Sequence, residues 1–439
     1  MLSAGNVYEH LATVDADEWP GVARVPEGVL VAAKARLAEA RFAAACAQAG
    51  VELDPDRGAL VRVEHDAVFR RVADSGWVGL AEGFLAGEWS VESSAALVDA
   101  LAALLKVNYA PRTPAVASGR AGSGGEIPPD LIRHFSGDGM SPFAGHFATG
   151  VPTTQRERVR SYAPCGLGRR AAAFHYVDRT EFSAPLDAQR DDLADVQARS
   201  VEMLLDACGA ARGTHVLEYP SSGGAVAIAA ARRHATVDVW LAGEAAERQL
   251  RDRLVYAGVA DAVHVELVGS NPEPVPPRRG HYDGVVSVEK LETLDPSRKG
   301  GYLSALGGLV GPGGRVALQT LVRTEAFTPA ARASLQSLRA YVWPGLSFST
   351  PEELARIVDR RTRLRIVAET RAPEHLEASL RLQRELFDGR LREAAADGYD
   401  RVYRRLWQWQ FALREALARL GMIDLAQMTL VPRDRRGRR

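Results

Sequence analysis

Hydrophobic and polar positions follow their most regular pattern in the second half of the chain. The pattern predicts an amphipathic helix over residues 191–207 and further helices over 244–258 and 299–309. Short apolar runs rich in β-branched residues occupy residues 214–219, 235–243, 262–269, 282–289 and 314–322. Such runs, separated by helices of about ten to fifteen residues, predict repeated βαβ units. We therefore expect an α/β fold whose parallel sheet carries helices on both faces.

The first hundred or so residues have a different pattern. Residues 28–50 are rich in alanine, contain no internal Pro or Gly, and predict a helix. Residues 59–64 alternate between apolar and polar like a strand, and residues 95–105 predict another helix. These elements predict a small α/β unit.

A change in composition separates this unit from the rest of the chain. Residues 111–130 are dominated by Pro, Gly, Ser and Ala, which is typical of a flexible linker. We expect a small N-terminal domain over 1–110, a linker over 111–135 and a second domain over 136–439. Within the second domain, residues 136–186 show little periodicity and many turn-forming residues.

A helix predicted over residues 397–420 carries a long apolar stripe. Its members recur at helical spacing on one face: Val402, Leu406, Trp409, Leu413, Leu417 and Leu420. Trp407 and Phe411 widen the stripe. It either lines a pocket for an apolar chain or packs on the sheet, and the pattern leaves both interpretations open.

Composition narrows the class of protein. Hydrophobic residues make up 46% of the 439 residues and charged residues 25%, values that are typical of a folded globular protein. The 55 basic side chains balance the 55 acidic ones, which argues against bulk nucleic-acid binding. Cys46, Cys165 and Cys208 lack the spacing of a metal site or a disulfide framework, so we expect a reducing, cytoplasmic setting.

The sequence predicts no membrane-spanning helix and leaves only peripheral contact with a membrane as a possibility. No apolar run reaches the roughly 18 residues that a membrane-spanning helix needs, and the start lacks the order of a signal peptide. Residues 432–439 carry five arginines against the single carboxylate of Asp434. This tail is either a contact with an anionic membrane surface or a solvated terminus.

The loop after the first strand of the parallel sheet is the candidate ligand site. In open parallel sheets ligands bind at the carboxyl ends of the strands, and here that loop runs from Glu218 to Gly224. Glycines in such a loop permit a tight turn and close approach to a ligand. Gly223 and Gly224 either serve a cofactor in this way or only let a helix pack closely on the sheet.

Segments distributed over most of the chain resemble the cyclopropane-fatty-acyl-phospholipid synthase family, which includes mycolic-acid methyltransferases. They occur in the family's order: GWVGLAEGFLAGEWSVESSAALV (76–98), HVLEYPSSGGAVAIAA (215–230), YDGVVSVEKLETL (282–294), YVWPG (341–345) and residues 399–430. The resemblance extends over about residues 15 to 432. It implies a class I, Rossmann-like methyltransferase sheet and S-adenosylmethionine as cofactor. The segment LVGPGGRVALQT (309–320) is similar to a late strand of that sheet.

The resemblance also implies a chemistry. In the family, a lipid double bond attacks the methyl group of the cofactor, a carbocation forms, and bound bicarbonate removes a proton. Glu292 matches the glutamate beside the bicarbonate, while Gln319 stands where the family has histidine and His375 where it has tyrosine. Ala184 replaces the cysteine. Glu292, His375 and Gln319 are thus the candidate catalytic residues, and we expect the bicarbonate site to be lost.

The candidate cofactor-binding residues follow from the same resemblance: Glu218, Tyr219, Ser222, Gly223 and Gly224. Pro220 and Ser222 replace two glycines of the family's loop, and Gly269 replaces the acidic residue that meets the adenine. A lost hydrogen bond from a carboxylate to a buried ligand costs roughly 1.5 to 3 kcal/mol. We therefore expect weak or absent binding of S-adenosylmethionine.

Three functions remain open at the level of sequence. One is a catalytically silent relative that handles phospholipid acyl chains as partner or regulatory subunit of an active paralogous methyltransferase, or as a homodimer. The alternative is an active S-adenosylmethionine-dependent methyltransferase on unsaturated acyl chains with a rebuilt site. The third is a pocket adapted to another reaction. The histidines outside the matched segments, at positions 134, 146, 175 and 281, are interpreted as surface or turn residues.

Overall fold

A computed structural model describes residues 8–53, 58, 60–116, 127–163, 173–268 and 281–433. The strands are β1 (Arg62–Val63), β2 (Trp89–Ser90), β3 (Pro152–Arg160), β4 (Phe174–Phe182), β5 (His215–Glu218), β6 (Thr236–Leu241), β7 (Val263–Leu267), β8 (Tyr282–Val288), β9 (Val310–Arg323), β10 (Leu364–Arg371) and β11 (Ile423–Pro432). The helices are α1 (Pro20–Ala23), α2 (Val29–Ala49), α3 (Ala67–Ser75), α4 (Trp77–Ala86), α5 (Ser94–Lys106), α6 (Pro129–Ile132), α7 (Leu193–Cys208), α8 (Ala225–Arg232), α9 (Glu244–Tyr256), α10 (Pro296–Leu309), α11 (Pro329–Tyr341), α12 (Pro351–Arg361), α13 (Pro373–Gly389), α14 (Leu391–Ala396) and α15 (Arg401–Arg419).

The chain folds into two compact units, and it passes between them more than once. The first unit combines Met1–Glu126 with Glu325–Leu346 and Phe387–Met422, and the second unit holds the remaining segments. The first unit thus includes two stretches that the sequence pattern assigned to the large domain. The predicted domain limits at 1–110, 111–135 and 136–439 stay a prediction, and part of the predicted linker, 117–126, lies outside the described residues.

The second unit is built on a nine-stranded sheet in the order β3-β4-β10-β11-β9-β8-β5-β6-β7. Strands β9, β8, β5, β6 and β7 are parallel to one another, and β11 runs antiparallel to both of its neighbours. Successive strand residues point to opposite faces, so Val216 packs with helix α7 on one side and Leu217 with helix α10 on the other. The α/β class and the parallel sheet covered on both faces are confirmed.

Two long strands have no apolar signal in the sequence. Strands β3 and β4 pair antiparallel from Pro152↔Phe182 to Arg160↔Phe174, inside the stretch with little periodicity. Most residues of β3 are exposed, because the strand forms the edge of the sheet. A strand that is exposed on its faces needs no alternating hydrophobic residues, so the pattern could not reveal it.

The apolar stripe of α15 belongs to the core of the first unit. Trp409 is fully buried, its Nε1–H donates to the Ser337 hydroxyl (3.0 Å), and its ring lies 5.8 Å from Phe84 and 6.1 Å from Trp89. Within the first unit the stripe packs among α4, α5 and α11. In the described part of the chain, no helix has both the length and the apolarity to cross a membrane.

Candidate functional site

Glu218 ends strand β5 as a fully buried carboxylate. Its Oε1 accepts hydrogen bonds from the backbone N–H and the hydroxyl of Ser222, both at 2.6 Å. Its Oε2 is buried and has no hydrogen-bond partner among the described residues. Burial raises the pKa of Glu218, while the hydrogen bonds from Ser222 act in the opposite direction. An acceptor atom is thus available at the carboxyl end of the first parallel strand.

Both glycines of the loop have positive φ and lie against neighbouring parts of the chain. Gly223 has φ of +93° and Gly224 of +94°. A Cβ on Gly223 would lie 2.0 Å from the backbone oxygen of Met140, and one on Gly224 would lie 2.5 Å from Leu250 Cδ1. The packing interpretation of these glycines is therefore supported, because polypeptide lies against both of them.

Polar contacts fix the segment that covers Gly223. The guanidinium of Arg253 donates to the carbonyls of Gly223 (3.1 Å) and Gly139 (2.7 Å). The carboxylate of Asp138 accepts from the backbone N–H and the hydroxyl of Ser141 at 2.8 and 2.7 Å. The turn around residue 140 is thus attached both to itself and to the loop.

Tyr219 lies in an aromatic cluster on the α10 face of the sheet. Its ring is 5.4 Å from Trp240 and 5.8 Å from Tyr302, and the Tyr302 hydroxyl donates to the Tyr219 carbonyl (2.9 Å). Only 6% of Tyr219 is exposed. Its packing is that of a core residue, and the role assigned to it in cofactor binding stays a prediction.

Glu292 is buried beside strand β9. Its carboxylate accepts from the hydroxyl of Thr320 (2.7 Å) and from the backbone N–H of Leu321 (3.2 Å). Burial raises the pKa of Glu292, and the nearby charge of Glu289 adds to the effect. Lys299, which donates to Ser349 Oγ at 3.0 Å, has its pKa lowered by burial to about 8 while the charge of Glu292 opposes that shift.

Gln319 is the centre of a hydrogen-bond network on the other face of β9. Its Nε2 donates to the Ala144 carbonyl (2.8 Å) and to Glu289 Oε1 (3.1 Å). Its Oε1 accepts from Ser200 Oγ (2.8 Å) and from Gln427 Nε2 (2.9 Å). All four bonds agree with one orientation of the amide, which is therefore fixed.

His375 uses both of its ring nitrogens. Its Nδ1 accepts from the backbone N–H of Phe147 (3.0 Å), so Nε2 carries the proton and donates to the Ser183 carbonyl (3.0 Å). Burial lowers the pKa of His375, which favours this neutral form. Both nitrogens are occupied, so the ring joins the segments around residues 147 and 183.

His146 lies between these candidates, although the sequence interpretation placed it at the surface or in a turn. That interpretation is wrong for His146, which is fully buried and not in a turn, whereas His134 lies in a turn although it is buried. The His146 Nδ1 lies 2.8 Å from Ser200 Oγ, and its ring lies 6.0 Å from His375 and 5.8 Å from Phe182. Its Nε2 has no partner in the part of the chain that the structure describes. Burial lowers the pKa of His146 to about 3, and the charges of His375 and Arg199 contribute.

The structure therefore brings together part of the predicted catalytic set. Gln319 and His375 flank His146 on the α7 side of the sheet, whereas Glu292 bonds to Thr320, the next residue of β9, whose side chain points to the opposite face. Sequence reasoning missed His146 and Ser200, which lie outside the segments that carry the resemblance. Gly269 lies outside the described residues.

Comparisons with known proteins agree with this fold. The family model for mycolic acid cyclopropane synthetase matches residues 178–428, more than half of the chain. A tuberculostearic acid methyltransferase of Mycobacterium tuberculosis is 29% identical over 450 residues, 96% of each chain.

Two solved structures are similar in fold at low sequence identity. The apo form of a mycolic acid cyclopropane synthase superposes with a TM-score of 0.50 at 15% identity, covering 69% of this chain and 99% of that one. A protein described as a sarcosine dimethylglycine methyltransferase of Galdieria sulphuraria gives 0.51 at 13% identity, covering 58% and 92%. The class I methyltransferase fold expected from the sequence is confirmed.

Proposed function

Because this chain belongs to the mycolic acid cyclopropane synthetase family, we propose that it is an active enzyme that transfers a methyl group from S-adenosylmethionine to the double bond of an unsaturated fatty acyl chain. A relative that matches 96% of its length is a methyltransferase by name, which supports the active alternative over the silent one. The observation that carries the proposal is a pair of buried polar atoms that lack hydrogen bonds. Glu218 Oε2 and His146 Nε2 are both buried and both lack a partner among the residues described.

The residues at the end of β5 fit the cofactor. S-adenosylmethionine supplies an electrophilic methyl group and carries an ammonium group that needs an acceptor. Glu218 Oε2 is such an acceptor, and Ser222 holds the other oxygen of the same carboxylate in place. A buried carboxylate that bonds to a charged donor contributes about 1.5 to 3 kcal/mol.

The chain's other contribution is a protected environment for positive charge. When the double bond takes up the methyl group, one former alkene carbon becomes a cation, which must be shielded from water and then lose a proton. The rings of Phe182 and His375 face His146 at 5.8 and 6.0 Å, so the cluster is aromatic as well as buried. Aromatic rings stabilise nearby cations by about 0.5 to 2 kcal/mol.

Binding and turnover test this proposal separately. Calorimetric titration with S-adenosylhomocysteine, the demethylated product, is expected to show binding that Glu218→Gln weakens about 10- to 100-fold. Incubation with S-adenosylmethionine and oleoyl phospholipid vesicles is expected to give a methylated acyl chain, detected by mass spectrometry. No heat at near-millimolar ligand, together with no product, would contradict the proposal.

A silent lipid-handling partner is the second candidate, and one observation favours it. Pro220 and Ser222 stand at two positions where the family has glycine, and the backbone of Met140 lies against Gly223. Co-purification with a related active methyltransferase, in the absence of any binding of S-adenosylhomocysteine, would support this candidate. Most of the arginine-rich tail, residues 434–439, lies outside the described residues, so its contact with a membrane stays a prediction.

A further inference from the structure

The hydroxyl of Ser200 determines which nitrogen of His146 carries the proton. Gln319 Nε2 donates to two acceptors, so its Oε1 faces Ser200 and can only accept. Gln427 Nε2, 3.2 Å from Ser200 Oγ, can only donate. Ser200 has one proton, and it must go to Gln319 Oε1, because two oxygens 2.8 Å apart without a proton between them would repel.

It follows that His146 Nδ1 donates to Ser200 and that Nε2 is the unprotonated nitrogen. Ser200 Oγ has already given its proton to Gln319, so only an Nδ1–H can make the 2.8 Å contact. The Nε2 lone pair is left buried and without a hydrogen bond in the described structure. An unsatisfied buried acceptor costs about 1 to 3 kcal/mol, which suggests that it is retained for a use.

The hydrogen bonds of Ser200 and Gln319 also link the His146 ring to a carboxylate, which can stabilise a transient positive charge on the ring. From Nδ1–H the hydrogen bonds run through Ser200 and Gln319 to the carboxylate of Glu289. A proton gained at Nε2 would create an imidazolium whose Nδ1–H bond is already in place. Arg199 and His375 are the other titratable groups that act on the ring, and both oppose a lasting positive charge.

We propose that His146 Nε2 is the general base of the methyl transfer. This rests on the proposed function. The alkene electron pair forms the new C–CH3 bond as the S–CH3 bond breaks, leaving a thioether and a carbocation. A C–H bond next to the cationic carbon then gives its electron pair to a new double bond, and its proton passes to Nε2.

Neither of the other candidate bases can take this role in the observed arrangement. His375 has its Nδ1 lone pair bonded to Phe147 and its Nε2–H bonded to Ser183. Glu292 accepts from Thr320 and Leu321 on the opposite face of β9. Of the two histidines, only His146 has a ring nitrogen without a partner in the described residues, and Glu292 is bonded to Thr320, whose side chain points to the other face of the sheet.

Single substitutions test the base directly. His146→Gln is expected to lower kcat about 100-fold or more, with the Kd for S-adenosylhomocysteine unchanged within twofold. His175→Gln is the matched control, because His175 also has a buried ring nitrogen without a partner in the described residues, at the other end of β4. It should keep wild-type turnover. Turnover of His146→Gln within threefold of wild type, or a large loss in Glu292→Gln alone, would overturn the assignment.

A bicarbonate test separates a protein base from a bound anion. Wild-type turnover is expected to stay the same in buffer freed of carbon dioxide. Added imidazole is expected to restore part of the activity of His146→Gly. A wild-type enzyme that needs bicarbonate would refute the role of His146.

Nitrogen NMR tests the tautomer of His146 even if no methyl transfer to lipid is observed. In protein with 15N-labelled histidine, the His146 signals, identified by their loss in His146→Gln, are expected to show a protonated Nδ1 and an unprotonated Nε2 from pH 8 to pH 5. A proton on Nε2 in the wild type would overturn the inference. Failure of the proposed function would instead appear as absent methyl transfer with the expected tautomer.

Discussion

Replacing Gln319 by leucine should cost both stability and the tautomer of His146. The amide makes four buried hydrogen bonds between 2.8 and 3.1 Å. Gln319→Leu leaves the Ala144 carbonyl without that donor, at about 1 to 3 kcal/mol, and removes bonds to groups that keep other partners, at about 1 kcal/mol together. We expect the free energy of unfolding to fall by about 2 to 4 kcal/mol, measured as a shift in the urea midpoint at constant slope.

The same substitution should change the chemistry of the site. Without Gln319 Oε1, the Ser200 hydroxyl is free to donate to His146 Nδ1, which moves the ring proton to Nε2 and removes the lone pair. Methyl transfer should therefore fall more than tenfold at a urea concentration of zero, where the variant remains folded.

Gln383→Leu is the matched control. Gln383 is buried and donates to the Phe143 carbonyl (3.2 Å), which also accepts from Gln197 Nε2 (3.0 Å), so this acceptor keeps a donor. We expect Gln383→Leu to lower the free energy of unfolding by about 0.5 to 1.5 kcal/mol and to keep normal turnover. Suppose that Gln319→Leu is no more destabilising than Gln383→Leu and keeps full activity. The Gln319 network would then neither stabilise the fold nor set the tautomer of His146.

Three further predictions concern packing and protonation. Gly223→Ala should destabilise the protein by about 1 to 3 kcal/mol, because φ is +93° and the new Cβ meets the Met140 carbonyl; an unchanged urea midpoint would contradict this. The folded pKa of His146 lies near 3, below the unfolded value near 6.5, so the unfolded chain binds a proton that the native state does not. Stability should fall as pH drops below about 6.5, by about 1.4 kcal/mol per unit for this group, and His146→Gln should flatten that slope; equal slopes would refute it. Burial raises the pKa of Cys46 to about 12 and the pKa of Cys208 to about 11. Iodoacetamide at pH 8 should therefore alkylate neither thiol in the native protein. Peptide mapping of the native and the denatured protein after treatment checks this.

The sequence predicts the parallel part of the fold well because that part obeys simple periodicity. Strands β5 and β6 are buried on both faces and appear as continuous apolar runs, for example at 235–243 for a strand observed over 236–241. Strands β3 and β4 could not be found in the same way, since no residue of β3 is buried and only Val177 and Phe182 of β4 are. The passage of 325–346 and 387–422 into the first unit depends on tertiary contacts that no local pattern encodes.

Only those site residues that lie in segments resembling the family could be predicted from the sequence. Gln319 and His375 were located through the resemblance, but their chemistry was not, because a residue type does not show which of its polar atoms are already bonded. His375 has the expected imidazole with both nitrogens occupied. His146 matches no family segment, and its free nitrogen arises from a chain fold that brings it to Ser200, 54 residues away in sequence.

Methyl transfer with a deuterated donor tests the central claim most directly. Purified protein is incubated with S-adenosylmethionine carrying a trideuterated methyl group and with oleoyl phospholipid, and the released acyl chains are weighed by mass spectrometry. The proposed reaction predicts a branched chain that keeps all three deuteriums, because the lost proton comes from the acyl chain. Acyl chains without any deuterium, from protein that is folded and saturated with the donor, would contradict the assignment of this chain as an active lipid methyltransferase.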